Sequence, residues 1–358
     1  MPKPLFLVLC LTQGILWGQP DWRNIRDFGA VPNDGADDSA AIQAAFDSFD
    51  ARRGGAVYCP AGTYDIFSPI VVTGAAVRFV GEGGPSYNED PPLSGCTLLA
   101  RTDNMTLLKF DGGVLNHRGP VIEHVNLRDA TPGGRTATLI EIRHMNRWTV
   151  RNVSVAFADT GLKVNAGHDS DASWGYVPQL ICRESRVCID QAYPEGGFLV
   201  LGGDFSTSGT GIRARGAQVR VIGAKFDCLG GSVGIVTSGQ SGVVTGSLFE
   251  QCSTGIKVQN DGTRPWNGDR NRFVGNDFRG WDGGVSRGLD IGPGCDGNQV
   301  IGNTYELVSI PVEDRGSQTK RYEQGVGTSA TLACGPGLAI KTITVKEGIV
   351  TSVSCGTP

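Results

Sequence analysis

Apolar residues in the second half of the chain recur in short clusters of two kinds. The first kind is Leu201-Gly202-Gly203-Asp204-Phe205, Ile222-Gly223-Ala224-Lys225-Phe226, Thr245-Gly246-Ser247-Leu248-Phe249, Val274-Gly275-Asn276-Asp277-Phe278 and Ile301-Gly302-Asn303-Thr304-Tyr305. Each contains Gly-x-x-aromatic, and successive aromatics stand 21, 23, 29 and 27 residues apart. The second kind is a Gly followed by an alternating triplet: Gly161-Leu162-Lys163-Val164, Gly211-Ile212-Arg213-Ala214, Gly234-Ile235-Val236-Thr237, Gly255-Ile256-Lys257-Val258 and Gly288-Leu289-Asp290-Ile291. Period-two alternation predicts short strands with the first and third residues of each triplet inward and the middle one outward. Two such beats per repeat, at a repeat length in the solenoid range, predict parallel strands stacked coil on coil about 4.8 Å apart. A leucine-rich repeat needs a Leu-rich consensus, and propellers or sandwiches need hairpin signals or a longer period. The pattern therefore predicts an all-β chain folded as a single right-handed parallel β-helix.

One stretch breaks the pattern. Ala40 to Phe49 places Ile42, Ala45, Phe46 and Phe49 on one helical face, with Gln43 and Asp47 turned to water. Asp38 or Ser39 stands at its N-cap position, giving a predicted helix over 38–50. Strand signals flank it, at Ile25 and Phe28 before it and at Ala56-Val57-Tyr58 after Gly54-Gly55. The elements around this helix, Asp27-Phe28-Gly29-Ala30, Asn33-Asp34-Gly35, Asp37-Asp38-Ser39-Ala40-Ala41-Ile42-Gln43 and Gly54 to Tyr58 followed by Pro60-Ala61-Gly62-Thr63-Tyr64, resemble the N-terminal segment of the pectate-lyase superfamily. The similarity continues through Val80-Gly81-Glu82-Gly83. That superfamily includes pectin-degrading enzymes, related glycanases and phage tailspikes. The resemblance implies a β-helix whose open N-terminal end is covered by the helix, and a carbohydrate-handling class of function. Polygalacturonase signatures (Asn-Thr-Asp, Asp-Asp, Gly-His-Gly, Arg-Ile-Lys) are absent. The nearest fragments are Gly167-His168-Asp169 and Gly255-Ile256-Lys257, so no catalytic residue carries over from the resemblance.

Three segments follow. Residues 1–19, with Lys3 ahead of the apolar run Leu5 to Leu11, read as a secretory signal peptide, too short to span a bilayer. Residues 20–315 form the β-helix. Residues 316–358 repeat nothing and end in a predicted β-hairpin through Ile343-Thr344-Val345 and Ile349-Val350-Thr351, a small appendage that suits the exposed end of a solenoid. At 358 residues the chain has enough apolar content, 39%, for a long core, and its 53 glycines favour turns over helices. A net charge of −4 gives no support for a nucleic-acid partner, and no later run is apolar enough to cross a membrane. Ten cysteines fit an oxidising compartment, so a secreted or periplasmic protein is expected. Without Cys10 nine remain, so one stays free or pairs between chains. Cys228 with Cys252, Cys182 with Cys188, and Cys334 with Cys355 are candidate pairs. The four histidines are scattered and there is no CxxC, which argues against zinc.

Outward residues of adjacent coils lie in register, so carboxylates one coil apart suit glycoside hydrolysis. Asp227 and Glu250 follow the aromatics of consecutive coils. Repulsion between them is expected to raise one for general-acid work, with Arg279 on the next coil holding a neighbour ionised. A second face carries Lys163, Arg213 and Lys257, with Asp159 just before Gly161, and a row of cations suits acidic sugars. Trp266, in the long insertion 259–271, and Trp281 are candidate sugar-stacking residues. The expected function is therefore a polysaccharide-degrading hydrolase using Asp227, Glu250 and Asp159, with no required cofactor. The alternative is a lyase acting on a uronate glycan through Lys257 or Arg213; the resemblance implies that such a lyase often holds Ca2+. A further alternative is a non-catalytic glycan-binding or tailspike-like protein, which as a tailspike would be trimeric. A structural β-helix without a working site also follows from the missing signatures.

Overall fold

The structure is a computed structural model. It describes residues 22–49, 54–74, 77–84, 95–113, 117–131, 133–165, 174–191, 196–228, 231–262, 267–280 and 286–322, and the backbone of 339–346 and 349–356. The chain is nearly all β, and its coils carry three strands rather than the two beats the sequence predicts. Face A holds one strand per coil, twelve among the described residues, from Trp22–Asn24 to Lys320–Tyr322. Most are three residues long with one inward side chain, such as Val221, Val244, Phe273 and Val300. Three residues are too few for alternation to register in a sequence. Faces B and C share an eighteen-stranded sheet, because the strands Leu180–Gln191 and Asp204–Ala214 pass from one face to the other without a break. Face B carries the aromatic beat and face C the Gly-triplet beat. Strands pair in parallel along each face. Residues 339–346 and 349–356 pair antiparallel, a hairpin longer than the sequence signal suggested.

Gly-x-x-aromatic proves to be a corner. Gly202, Gly223, Gly246, Gly275 and Gly302 have φ between 58° and 64°, a left-handed turn that swings the chain from face A to face B. The aromatic then enters the core at the same height in each coil. Rings of Phe205, Phe226, Phe249, Phe278 and Tyr305 stack with centroids 5.0, 4.7, 4.9 and 5.3 Å apart. Buried asparagines hold the same corners. Asn276 accepts from the Ser247 backbone N–H at 3.1 Å and donates to the Val244 carbonyl at 3.0 Å, and Asn303 accepts from the Asn276 backbone N–H at 2.9 Å.

The capping helix spans Ser39–Asp47. Ile42, Ala45 and Phe46 are buried, and the Phe46 ring lies 5.6 Å from that of Phe79 and 6.3 Å from that of Phe110, closing the core. Asp38 is the N-cap residue, but its carboxylate accepts from Val31 and Asp65 N–H groups and ties the helix to its flanks. Gln43 is not simply turned to water. Its amide accepts from the Val71 N–H at 2.8 Å and donates to the Val71 carbonyl at 2.9 Å, so a side chain satisfies the edge of the first face C strand among the described residues.

Disulfides join Cys182 with Cys188 and Cys228 with Cys252, as the spacing suggests. A third, Cys59–Cys96, joins residues 37 positions apart at the face A to face B corner of neighbouring coils, which no local signal reveals. Cys295 is free and buried, and burial pushes its thiol up to about 11, so it is an inert core residue. The signal segment 1–19, Cys10, Cys334 and the side chain of Cys355 lie outside the described residues. Among the described residues no helix is long and apolar enough to cross a membrane.

Candidate functional site

Alternation on face C buries Ile140, Leu162, Ile189, Ile212, Ile235, Ile256 and Leu289 and turns the residue after each outward. Strand register then lines up Lys109, Glu141, Lys163, Asp190, Arg213, Val236, Lys257, Asp290 and Glu313 in one column, one per coil. Three of the candidate residues, Asp159, Lys163 and Arg213, meet there in a cleft of about 550 Å³, together with Arg186 and Asp190. Arg186 Nη1 lies 3.1 Å from Asp159 Oδ1, and Arg213 Nη1 lies 3.4 Å from Asp190 Oδ2. Asp190 Oδ1 is buried without a hydrogen-bond partner among the described residues. Lys163 sits between the rungs of Glu141 and Asp190, yet has no ion pair or hydrogen bond among the described residues, because Glu141 is engaged by Arg143. The cleft thus sets three cations against two carboxylates, with one cation uncommitted.

From Lys109 to Arg213 the row therefore alternates in sign, where the sequence predicts a run of cations with Asp159 before it and Asp290 at its far end. Asp190 escapes notice because its triplet, Cys188-Ile189-Asp190, has Cys in place of Gly; Arg186 sits at the corner between faces B and C, which carries no repeat signal. Lys257 shares the column but lies two coils beyond Arg213, next to Asp290, which is paired with Arg315.

Asp227 and Glu250 occupy face B, so the structure separates them from Asp159. They are register partners on consecutive coils, followed by Arg279 and Glu306. Lys225, two residues before Asp227, lies between them: its Nζ is 3.0 Å from Glu250 Oε2 and 3.9 Å from Asp227 Oδ2. Arg279 adds a contact to Glu250 at 3.5 Å and one to Asp277 at 2.8 Å. The Glu250 hydrogen bond, outweighing partial burial, raises the Lys225 ammonium. The carboxyl that is pushed up is that of Asp204, the register partner of Lys225. Burial raises it most, the Lys225 charge opposes, and the Asp227 and Glu250 charges add to the rise. Trp266 and Trp281 lie outside the described residues. Among the described residues no group of three or more His, Cys, Asp or Glu side chains is placed to hold a metal ion.

The family described as rhamnogalacturonase A/epimerase, pectate lyase-like, matches residues 22–106, the helix and the first coils. Mannuronan C5-epimerase AlgE4 of Azotobacter vinelandii is 51% identical over 115 residues, 31% of this chain and 19% of that protein. AlgE3 of the same bacterium is 54% identical over 43 residues, 12% of this chain and 2% of that protein. The chain thus spans less than a fifth of the length of these curated relatives. Among solved structures, the tailspike protein of Acinetobacter phage vB_ApiP_P1 superposes with a TM-score of 0.59 at 12% identity, covering 84% of this chain and 59% of that one. DFA-IIIase from Arthrobacter chlorophenolicus A6 superposes with a TM-score of 0.53 at 11% identity, covering 84% and 94%. At such identities the superpositions speak for the fold alone. Repeats, parallel sheets and capping helix agree in a right-handed parallel β-helix, and over residues 22–106 the chain is similar to the pectate-lyase-like family.

Proposed function

We propose that the chain is an exported enzyme that acts on an acidic polysaccharide laid across face C, removing the proton at C5 of a uronate residue. The observation that carries this reading is the cleft's charge arrangement, with Lys163 uncommitted beside Arg186 and Arg213. A uronate carboxylate suits an arginine fork, and neutralising that carboxylate acidifies the adjacent C–H. An amine accepts a proton only after giving up its own, so Lys163 first releases a proton to solvent and then takes the one at C5. Returning a proton to the opposite side of C5 gives the epimer; expelling the O4 substituent instead gives an unsaturated sugar and a cleaved chain. The relatives named mannuronan C5-epimerases make the first outcome a natural one to test. Since the arginines take the neutralising role, the reading requires no metal, and turnover is expected to survive chelation of Ca2+. Disulfides among the described residues suit export.

Polymannuronate and polygalacturonate incubated in D2O test the reading by nuclear magnetic resonance, with ultraviolet absorbance and reducing ends followed in parallel. Deuterium at C5 or an unsaturated product, abolished in Lys163→Ala, is the expected result. New reducing ends without either signal, indifferent to Lys163→Ala, would refute it. That outcome belongs to a second reading, hydrolysis on face B, favoured by the raised Asp204 carboxyl beside Asp227 and Glu250. Asp204 then donates the proton, and activity is lost in Asp227→Asn or Glu250→Gln.

A further inference from the structure

Face A carries a second recess of about 550 Å³, on a different side of the coils from the charged cleft, with the side chains of Trp174, Tyr176, Leu199, Gln218 and Arg220 around it. Its aromatics are unusual for a folded surface: Trp174 is 70% exposed and Tyr176 is 37% exposed. They are nevertheless held in place. Trp174 stands at φ 62°, with its N–H donating to the Gly197 carbonyl at 2.8 Å, and the Tyr176 N–H donates to the Trp148 carbonyl at 2.9 Å. The floor is backbone. A side chain at Gly175 would meet the buried Trp148 ring at 2.0 Å, and one at Gly197 would meet the carbonyl oxygens of Ala217 and Gln218 at 2.8 Å. Gly175, Gly196 and Gly197 put backbone in place of side chains between these exposed rings, which leaves a slot for a flat, partly apolar group.

Among the described residues the charge around the slot has one sign. Tyr176, Leu199, Arg220, Val243, Arg272, Gln299 and Lys320 are successive register partners, a column with three cations and no carboxylate. Arg220 is exposed and has no ion pair or hydrogen bond among the described residues. The neighbouring carboxylate on an earlier coil, Glu123, is already engaged by both Arg78 and Arg151.

We infer that this recess binds an acidic sugar residue of a glycan chain, with the ring's C–H face on Trp174 and Tyr176 and its carboxylate on Arg220. The chain then continues down the column toward Arg272 and Lys320. The volume suits one or two sugar rings, aromatic faces supply apolar contact at little entropic cost, and an unpaired guanidinium supplies the fork that a carboxylate prefers. The site performs no chemistry; it holds polymer, and a chain engaged here and on face C at once gains by avidity.

The test uses the full chain carrying Lys163→Ala and Arg213→Gln, which disables the face C cleft, titrated calorimetrically with a mannuronate or galacturonate trisaccharide and with its carboxyl-reduced counterpart. Residual binding of the acidic trisaccharide is expected, weakened about tenfold by Trp174→Ala and restored by Trp174→Phe. Arg220→Gln is expected to weaken the acidic trisaccharide and leave the reduced one unchanged. Unchanged melting temperatures establish that these exposed positions do not act through folding. No binding in the cleft-disabled chain, or equal affinity with and without Trp174, overturns the site; equal loss of both trisaccharides in Arg220→Gln overturns the carboxylate assignment.

Discussion

Replacing Asn276 tests whether the corner asparagines, rather than the aromatic stack alone, fix the coil register on which both charged faces depend. The side chain is 1% exposed and makes three hydrogen bonds: from the Ser247 N–H at 3.1 Å, to the Val244 carbonyl at 3.0 Å and to Asn303 Oδ1 at 3.0 Å. In Asn276→Ala the Ser247 N–H, itself buried, loses its acceptor, and an orphaned buried donor costs ~1–3 kcal/mol. With the two donor bonds also lost, the expected loss is about 3 kcal/mol. Asn276→Asp separates the contributions. The carboxylate still accepts from Ser247, but it faces two oxygens that need a donor. Its folded-state pKa must then rise above the unfolded value, through burial and those oxygens. Below the unfolded pKa both states are protonated, and the neutral acid can donate one bond. As pH rises past that point the unfolded chain ionises freely while the folded one cannot, so stability falls. Urea unfolding followed by circular dichroism should therefore show Asn276→Asp approaching wild type near pH 4 and falling below Asn276→Ala near pH 7. Variants within about 0.5 kcal/mol of wild type at both pH values would refute the reasoning.

Two further perturbations follow from the same geometry. Phe249→Ala removes a ring stacked at 4.7 Å on one side and 4.9 Å on the other, 1% exposed, and should cost about 3–5 kcal/mol by equilibrium unfolding, against about 1 kcal/mol or less if neighbouring coils simply close the gap. For Glu123, burial alone would raise its carboxyl above the ordinary 4.5, but hydrogen bonds from Arg151 and Arg78 outweigh it and hold the group below. A depressed carboxylate contributes stability that is present above the unfolded value and lost as pH falls through the folded one. Acid unfolding curves should therefore steepen below pH 4.5 in the wild type and flatten in Glu123→Gln; parallel curves would show that the arginine clamp contributes nothing.

The parts of the fold legible in the sequence are those that repeat with enough residues to alternate. Face C triplets and face B aromatics do so, and the capping helix announces itself by a change of period. Face A does not, because a three-residue strand with one inward side chain has no pattern of its own. For the same reason Tyr176 and Arg220 pass unnoticed as neighbours: they sit in face A strands two coils apart, and only register brings them into one column. Within the charged cleft, Lys163 and Arg213 follow Gly-hydrophobic pairs and are visible. Asp190 follows Cys188-Ile189, so a disulfide cysteine hides the acidic rung between them. Asparagine corners are visible only as Gly-Asn dipeptides at Gly275-Asn276 and Gly302-Asn303; their meaning lies in bonds to residues 27 to 32 positions away.

That hidden rung changes which face suits catalysis. On face B the outward carboxylates Asp227, Glu250 and Asp277 are met by Lys225 and Arg279, so an incoming glycan would have to displace contacts already made. Each such contact is weak at a half-exposed surface, yet both partners would lose hydration as well as each other. On face C, Arg186 and Arg213 are each tied to a single carboxylate and Lys163 to none, so a polyanion meets a free charge first and two displaceable ones next. Alternating signs also limit self-repulsion between rungs about 4.8 Å apart, which a row of bare cations could not avoid. A ladder of this kind keeps its cations ordered without substrate, and a uronate carboxylate arriving beside Lys163 completes the alternation instead of breaking it.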